Sequence, residues 1–366
     1  MSNCVVGLRR LRASSRDGSG VVNRPPSPLN MLLSRHTRRR EFITLIGGSV
    51  VARPLAAHAQ QAERIRRIGV LMAFSENDPE AQSWARGFRE ELGKLGWIEA
   101  HNIQIDTRWA TADVESLQRF AKQLVALQPD LILTGSTPAT AAMRQQTNTI
   151  PIVFAMVGDP VGSGFVASLS RPGSNLTGFT PIENSLGGKW VELLKEIAPR
   201  VARVAMVFDP AMAPFASYYL NPFKAAAASL AIEAIVAPVD DMAALERVVA
   251  TSAREPNSGL VVMPDAFTIG HHADITSLVA RYRLPAVYPF RIFAEVGGLV
   301  SYGSSALDEF RREASYADRI LKGAKPSELP VQTPINFDLV INLKTAKALG
   351  LDVPSFIRLR ADEVIE

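Results

Sequence analysis

The amino-acid sequence predicts an α/β protein whose parallel sheets are divided between two lobes. Three observations carry that reading. Short runs rich in β-branched residues alternate with longer stretches of helical period from residue 68 onward, the pattern of βαβ units. Most of the runs, Ile103–Trp109 excepted, are apolar along nearly their whole length rather than at every second residue, as strands covered on both faces are. Roughly nine such runs fit two sheets of about five strands better than one open sheet, given the usual size of a domain.

The strand-like runs are, in order, Ile68–Phe74, Ile103–Trp109, Asp130–Thr134, Ile152–Val157, Val204–Phe208, Ala234–Ala237, Leu260–Met263, Ala286–Tyr288 and Leu299–Tyr302. Helical stretches fall between them, near 80–95, 114–127, 138–146, 186–197, 214–230, 241–253, 273–282 and 307–322. Phe88, Leu92 and Leu95 lie at i, i+4 and i+7, and Leu117, Phe120, Ala121 and Leu124 repeat the spacing. Each of those helices therefore turns one apolar stripe to a core. In the last stretch, Asp308, Glu309, Arg311, Arg312 and Glu313 read as a solvated face.

Composition narrows the class. With 47% hydrophobic and 21% charged residues, the chain is neither disordered, collagen-like nor a multi-span membrane protein. Its one cysteine, Cys4, excludes a disulfide framework and a Cys-rich zinc site. The formal charge of +4 is unevenly placed. Residues 1–59 hold ten of the 40 basic and two of the 36 acidic residues, which leaves 30 against 34 and a net −4 for the remainder. That balance removes the electrostatic argument for a nucleic-acid partner.

Residues 38–59 have the layout of an export signal. Arg38-Arg39-Arg40 supplies the positive segment, Phe42 to Val51 the short apolar core, and Ala57-His58-Ala59 the A-x-A cleavage site. The apolar core is about half the roughly 20 residues needed to span a bilayer. Arg39-Arg40-Glu41-Phe42-Ile43 resembles a twin-arginine signal; a Sec signal that carries three arginines is the other reading. Residues 1–30 are rich in Arg, Ser and Pro and read as an over-extended start ahead of Met31. Cleavage after Ala59 would place the remainder in the periplasm with no cysteine.

Loop chemistry marks three candidate boundaries: Arg171–Phe179 with Gly178, the pair Gly297-Gly298, and Pro330–Pro334. Three boundaries in one chain of this length imply that it crosses more than once between the lobes. The expected division is 60–177 with 298–329 for the first lobe, and 178–297 with 330–366 for the second. Gly178, Gly297 and Gly298 are the expected hinge points.

In open α/β sheets, ligands bind just outside the carboxyl ends of strands. Gly135-Ser136-Thr137-Pro138 ends one strand, places hydroxyls at a cap and opens a helix with proline. Ser136 and Thr137 thus mark either plain capping or a seat for a ligand carboxylate. Asp265 directly follows a strand and either pairs a ligand ammonium or caps the segment near Thr268. Asp159 and Asp209, each before a proline, read as turn or cap residues and remain candidate ligand contacts. Tyr288, Phe290 and Tyr302 either pack in the core or stack on an apolar ligand.

Other chemistries lack their residues. His271-His272 has only His101 for company after residue 60, with no H-E-x-x-H, so exposed loop histidines are the better reading than a metal site. Neither the phosphate-loop spacing, the dinucleotide G-x-G-x-x-G, nor a G-x-S-x-G elbow occurs. No cofactor is expected.

Several segments together resemble a known family. They are the IGVLMAF strand after the leader, Thr134–Ala139 (TGSTPA), Val157–Val161 (VGDPV), Met263–Asp265 (MPD), Tyr288–Tyr302 (YPFRIFAEVGGLVSY) and Ile341–Leu351 (INLKTAKALGL). They resemble the substrate-binding proteins of ATP-binding-cassette importers, of the tryptophan/tyrosine type, over residues 64–366. The resemblance implies a type I periplasmic-binding-protein fold, two doubly wound parallel-sheet lobes joined by three crossovers. It implies that Ser136 and Thr137 hold the carboxylate of an amino-acid-like or other small carboxylate ligand. Asp265 would take the amine, and Ser75, Asp209, Phe290 and Tyr302 would line the cleft. The implied partner is the membrane permease of the importer. An exported α/β enzyme on a carboxylate substrate, with Asp265 or Asp159 as acid/base, is the rival, and the scarcity of His, Cys and Lys at the strand ends opposes it. A two-lobed repressor would need a helix-turn-helix headpiece where the signal lies.

Overall fold

The computed structural model describes residues 64–181 and 183–366. The export signal, with Arg39, Arg40, Phe42, Ala57 and Ala59, lies outside the described residues. Among these, twelve strands form two sheets.

The first sheet has five parallel strands in the order β2-β1-β3-β4-β5: β1 (Arg66–Met72), β2 (Ile103–Trp109), β3 (Leu131–Gly135), β4 (Ile152–Ala155) and β5 (Leu176–Gly178). β1 is the hub, with Val70 opposite both Thr107 and Leu133. Every residue of β3 and β4 is buried, as the unbroken apolar runs demand. Helices α1 (Pro79–Lys94), α2 (Val114–Ala126) and α3 (Thr137–Gln146) fill the crossovers. Asp78 and Asp113 cap α1 and α2 by accepting first-turn amides.

The second sheet has seven strands, β12-β11-β10-β9-β8-β6-β7. They are β6 (Arg203–Phe208), β7 (Glu233–Pro238), β8 (Ser258–Val262), β9 (Ala286–Tyr288), β10 (Val300–Gly303), β11 (Asp338–Asn342) and β12 (Glu363–Ile365). All neighbours are parallel except β10 and β11. Its helices are α4 (Leu186–Ile197), α5 (Ala216–Ser229), α6 (Met242–Arg254), α7 (Ala266–Gly270), α8 (His272–Arg281), α9 (Arg291–Glu295), α11 (Leu343–Ala348) and α12 (Ser355–Arg360).

Helix α10 (Ala306–Leu321) returns to the first sheet. There Trp84 of α1 stacks on Phe310 at 5.7 Å and meets Phe74 edge-on. Gly87 permits this approach, because a Cβ there would lie 2.7 Å from Leu307. The chain thus passes between the sheets after β5, after β10 and before β11. The three passages are bound side by side: the Gln332 amide donates to the Gly178 carbonyl, the Thr180 amide to the Gln332 carbonyl, and the Ser304 hydroxyl to the Pro181 carbonyl.

Two expectations change. Gly297-Gly298 is not a passage between lobes: β10 behind it pairs with β9 and β11, so the crossing falls at 303–305. Gly298 is held by packing, since a Cβ would lie 2.7 Å from the Phe293 carbonyl oxygen. The charged face of α10 is not wholly solvated either, as Glu309 and Glu313 are buried. Gly178 does end β5 at the first crossing, where a Cβ would lie 2.1 Å from the Phe154 carbonyl oxygen.

Candidate functional site

Strand order dictates where a site can form. In the first sheet, β2 and β3 lie on opposite sides of β1; in the second, β7 and β8 lie on opposite sides of β6. Each reversal opens a crevice at the strand carboxyl ends. Phe74 with Ser136-Thr137-Pro138 occupies the first crevice, and Pro264-Asp265 the second; all six line one cleft between the sheets. The cleft encloses about 350 Å³ of space between atoms, mouth included, and side chains crowd its interior. The lobes are therefore shut, and a solute must part them to enter.

The walls are largely apolar. Phe74, Met156 and Pro138 come from the first lobe, and Met212, Phe215 and Phe290 from the second. Phe215 seals one end against Gly158, where a Cβ would lie 2.7–2.9 Å from its ring. The few polar groups are placed by local folding. Ser136 caps α3, accepting from the Ala139 amide at 3.2 Å, and Thr137 Oγ1 accepts from the Gly158 amide at 3.0 Å.

Asp265 is 3% exposed and caps α7 in a capping box: Oδ1 accepts from the Thr268 amide at 2.8 Å while the Asp265 amide donates to Thr268 Oγ1. Its Oδ2 accepts from the Asp209 amide at 3.0 Å, bridging the reversal between β6 and β8. Cap and cleft residue are thus both true, since each carboxylate oxygen keeps one lone pair free of these bonds. Burial pushes its carboxyl up to about 7, against the pull of the Thr268, Asp209 and Phe267 amides.

Ser136, Thr137, Asp265 and Phe290 come together in the cleft, and four other expected residues do not reach its wall. Ser75 lies one residue beyond Phe74, where its hydroxyl accepts from the Asn77 amide and closes a turn. Asp209 sits behind Asp265, its Oδ1 taken by the Ala211 amide. Asp159 turns to a separate surface hollow, where Oδ1 accepts from the Gly162 amide at 2.7 Å. Tyr302 stacks on Phe337 near the third crossing, 5.9 Å between centroids. His271 and His272 are half-buried rather than exposed, each Nδ1 bonded to a helix carbonyl.

The sequence reading missed Met156, Met212, Phe215 and Tyr219 as cleft residues. Tyr219 lies on a helix rather than at a strand end, so the strand-end rule passes over it; its one signal was the aromatic density of Phe215 to Tyr219. Beneath the cleft, Glu309 Oε2 accepts from the Met156 amide at 3.2 Å. Among the described residues there is no cluster of metal-ligating side chains, and no helix is long and apolar enough to cross a membrane.

Two sheets of the same winding, three linked passages and a shut cleft between reversal points define a two-lobed solute-binding protein. The chain belongs to the family of ABC transporter substrate binding proteins, whose family model matches residues 67–365. It is 23% identical over 303 residues to a tyrosine-binding protein of Clostridioides difficile (strain R20291), covering 83% of this chain and 85% of that one. A conserved domain protein of Vibrio cholerae O1 biovar El Tor is similar in structure, with a TM-score of 0.76 and 27% identity over 82% of this chain and all of that one. An ABC domain from Streptococcus pneumoniae in complex with L-Trp also has a TM-score of 0.76, at 26% identity over 82% of this chain and 99% of that one.

Proposed function

We propose that this protein captures an aromatic amino acid outside the cytoplasm and presents it to an ABC permease. The observation that carries the ligand class is the cleft wall: three phenylalanines and two methionines around a single carboxylate and a helix N-terminus. The relatives named for tyrosine and bound to L-Trp support the same class. The α3 N-terminus would hold the ligand carboxylate and Asp265 the ammonium, with Phe74, Phe215 and Phe290 on the ring. The lobes, 64–180 with 304–332 and 183–303 with 333–366, would part and close about the three crossings. Moving that balance from 1:99 to 99:1 takes about 5.5 kcal/mol of differential affinity. Charge-assisted contacts at roughly 1.5–3 kcal/mol each are of the right order when both lobes contribute.

Residues 38–59 would direct export by the twin-arginine route, and replacing Arg39 and Arg40 by lysine should then leave the protein in the cytoplasm. The ligand test is thermal unfolding of residues 60–366 with L-tryptophan, L-tyrosine, L-phenylalanine, L-leucine, L-glutamate and common sugars. Aromatic amino acids should raise the melting temperature, by linkage worth about 2.7 kcal/mol at a hundred times Kd. A response to a sugar and to none of the aromatic amino acids would end this reading.

A further inference from the structure

The cleft wall includes a tyrosine whose buried hydroxyl has nothing to bond to. Tyr219 of α5 is fully buried, and among the described residues its Oη has no hydrogen-bond partner. Its ring cannot swing away, being wedged by Trp190, Phe215 and Tyr218 at 5.8, 5.8 and 5.1 Å. Its backbone is pinned as well, since a Cβ on Gly187 would lie 2.3 Å from the Tyr219 carbonyl oxygen. Tyr219 shares the cleft wall with Met156 and Gly158 of the other lobe. Buried polar groups are nearly always paired, and an exception needs a reason. Burial first, and then the neighbouring Tyr218, hold the phenol proton on well above the ordinary tyrosine range, so the group is a donor.

The α3 N-terminus has the complementary shortage. Pro138 has no N–H, the Ala139 amide is taken by Ser136 Oγ, and the Thr140 amide by the Ser136 carbonyl. Of the first turn, the Thr137 amide alone is left for an anion, and a carboxylate accepts several bonds.

We infer that Tyr219 Oη donates to the ligand's carboxylate, completing from the second lobe an anion site that the Thr137 amide begins in the first. This rests on the amino-acid reading above and adds a residue that reads the acid group. The bond exists only with the lobes shut, so it favours closure over mere occupancy.

The test is calorimetric titration of the wild type and Tyr219→Phe with L-tryptophan, and with tryptamine, which keeps ring and ammonium but lacks the carboxylate. Tyr219→Phe should weaken L-tryptophan about 10- to 100-fold and tryptamine less than about 3-fold. The empty variant should melt no lower than the wild type, since an unpaired buried hydroxyl is removed. Unchanged affinity for L-tryptophan, or an equal loss for both ligands, overturns the inference. A crystal structure with L-tryptophan decides the point without analogues. Oη within about 2.8 Å of a carboxylate oxygen supports the inference, and Oη against the ring or ammonium overturns it. A wild type that binds no aromatic amino acid instead overturns the proposed function, and this inference with it.

Discussion

Asp265 caps α7, the proposed function gives the same carboxylate a ligand ammonium, and pH would separate the two roles. Empty and buried, it titrates at about 7. A ligand ammonium pulls that value down, because it favours the charged form. Binding therefore releases a proton below about pH 7, and affinity for an amino acid should climb roughly tenfold per unit from pH 5 toward 7 and level off above 8. Titration across that range, in two buffers of different ionisation enthalpy, counts the proton. Asp265→Asn should abolish the slope. It should also cost about 1–3 kcal/mol of stability, because its NH2 would face an amide of Thr268 or Asp209 that the carboxylate now accepts. A flat affinity profile in the wild type would mean that Asp265 is a cap and nothing more. The sequence could not choose between these roles, because a residue between a buried strand and a short helix meets the demands of both.

At the scale of the element, α10 shows where charge patterning misleads. Phe310, Ala314, Ala317 and Leu321 form the apolar stripe, and all are buried. Glu309 and Glu313 border that stripe and read as solvated because acids rarely go inside. The fold takes them inside, under β4. Burial pushes Glu309 up to about 8 and Glu313 well above the carboxylate range. Burial outweighs the bonds that pull the other way: Ser304 Oγ donates to the Pro181 carbonyl at 2.7 Å and more weakly to Glu309 Oε1 at 3.3 Å, and the Met156 amide donates to Oε2. The folded state thus binds protons that the unfolded chain, with carboxyls near 4.5, has lost. Stability from Glu309 is full below pH 4.5 and drains as pH rises through 8. Glu309→Gln, neutral at every pH, should match the wild type near pH 5 and melt higher near pH 9. Parallel melting curves from pH 5 to 9 would show that Glu309 is charged in the fold.

The whole molecule was legible where its rules are local and obscure where they are not. Strand-like runs with helical spacers disclosed nine of the described strands: the fully buried ones leave no polar alternation to hide them, and the half-exposed edge strands β2 and β7 still stand between helical stretches. β5 (LTG) and β12 (EVI) break their apolar run with a polar residue, unlike the equally short β9 (AVY), and β11 pairs antiparallel after a long passage, outside the strand–helix alternation. Closure itself is a property of both lobes together, and Gly158 is where they meet most tightly. A methyl group there would press within 2.7–2.9 Å of the Phe215 ring. Both residues sit on rigid supports: the Gly158 amide donates to Thr137 Oγ1 in one lobe, and the Phe215 ring is edge-on to Tyr219 in the other. Since packed cores yield less easily than a hinged gap, Gly158→Ala should act as a wedge. The empty variant should scatter as a larger particle than the wild type, with an unchanged far-UV spectrum. Its affinity for an aromatic amino acid should fall about 10-fold or more, because the competent closed state is depopulated. Ligand should also fail to shrink it fully. Identical radii of gyration for variant and wild type, with and without ligand, would show instead that the Phe215 ring gives way locally and that the lobes do not close on this contact.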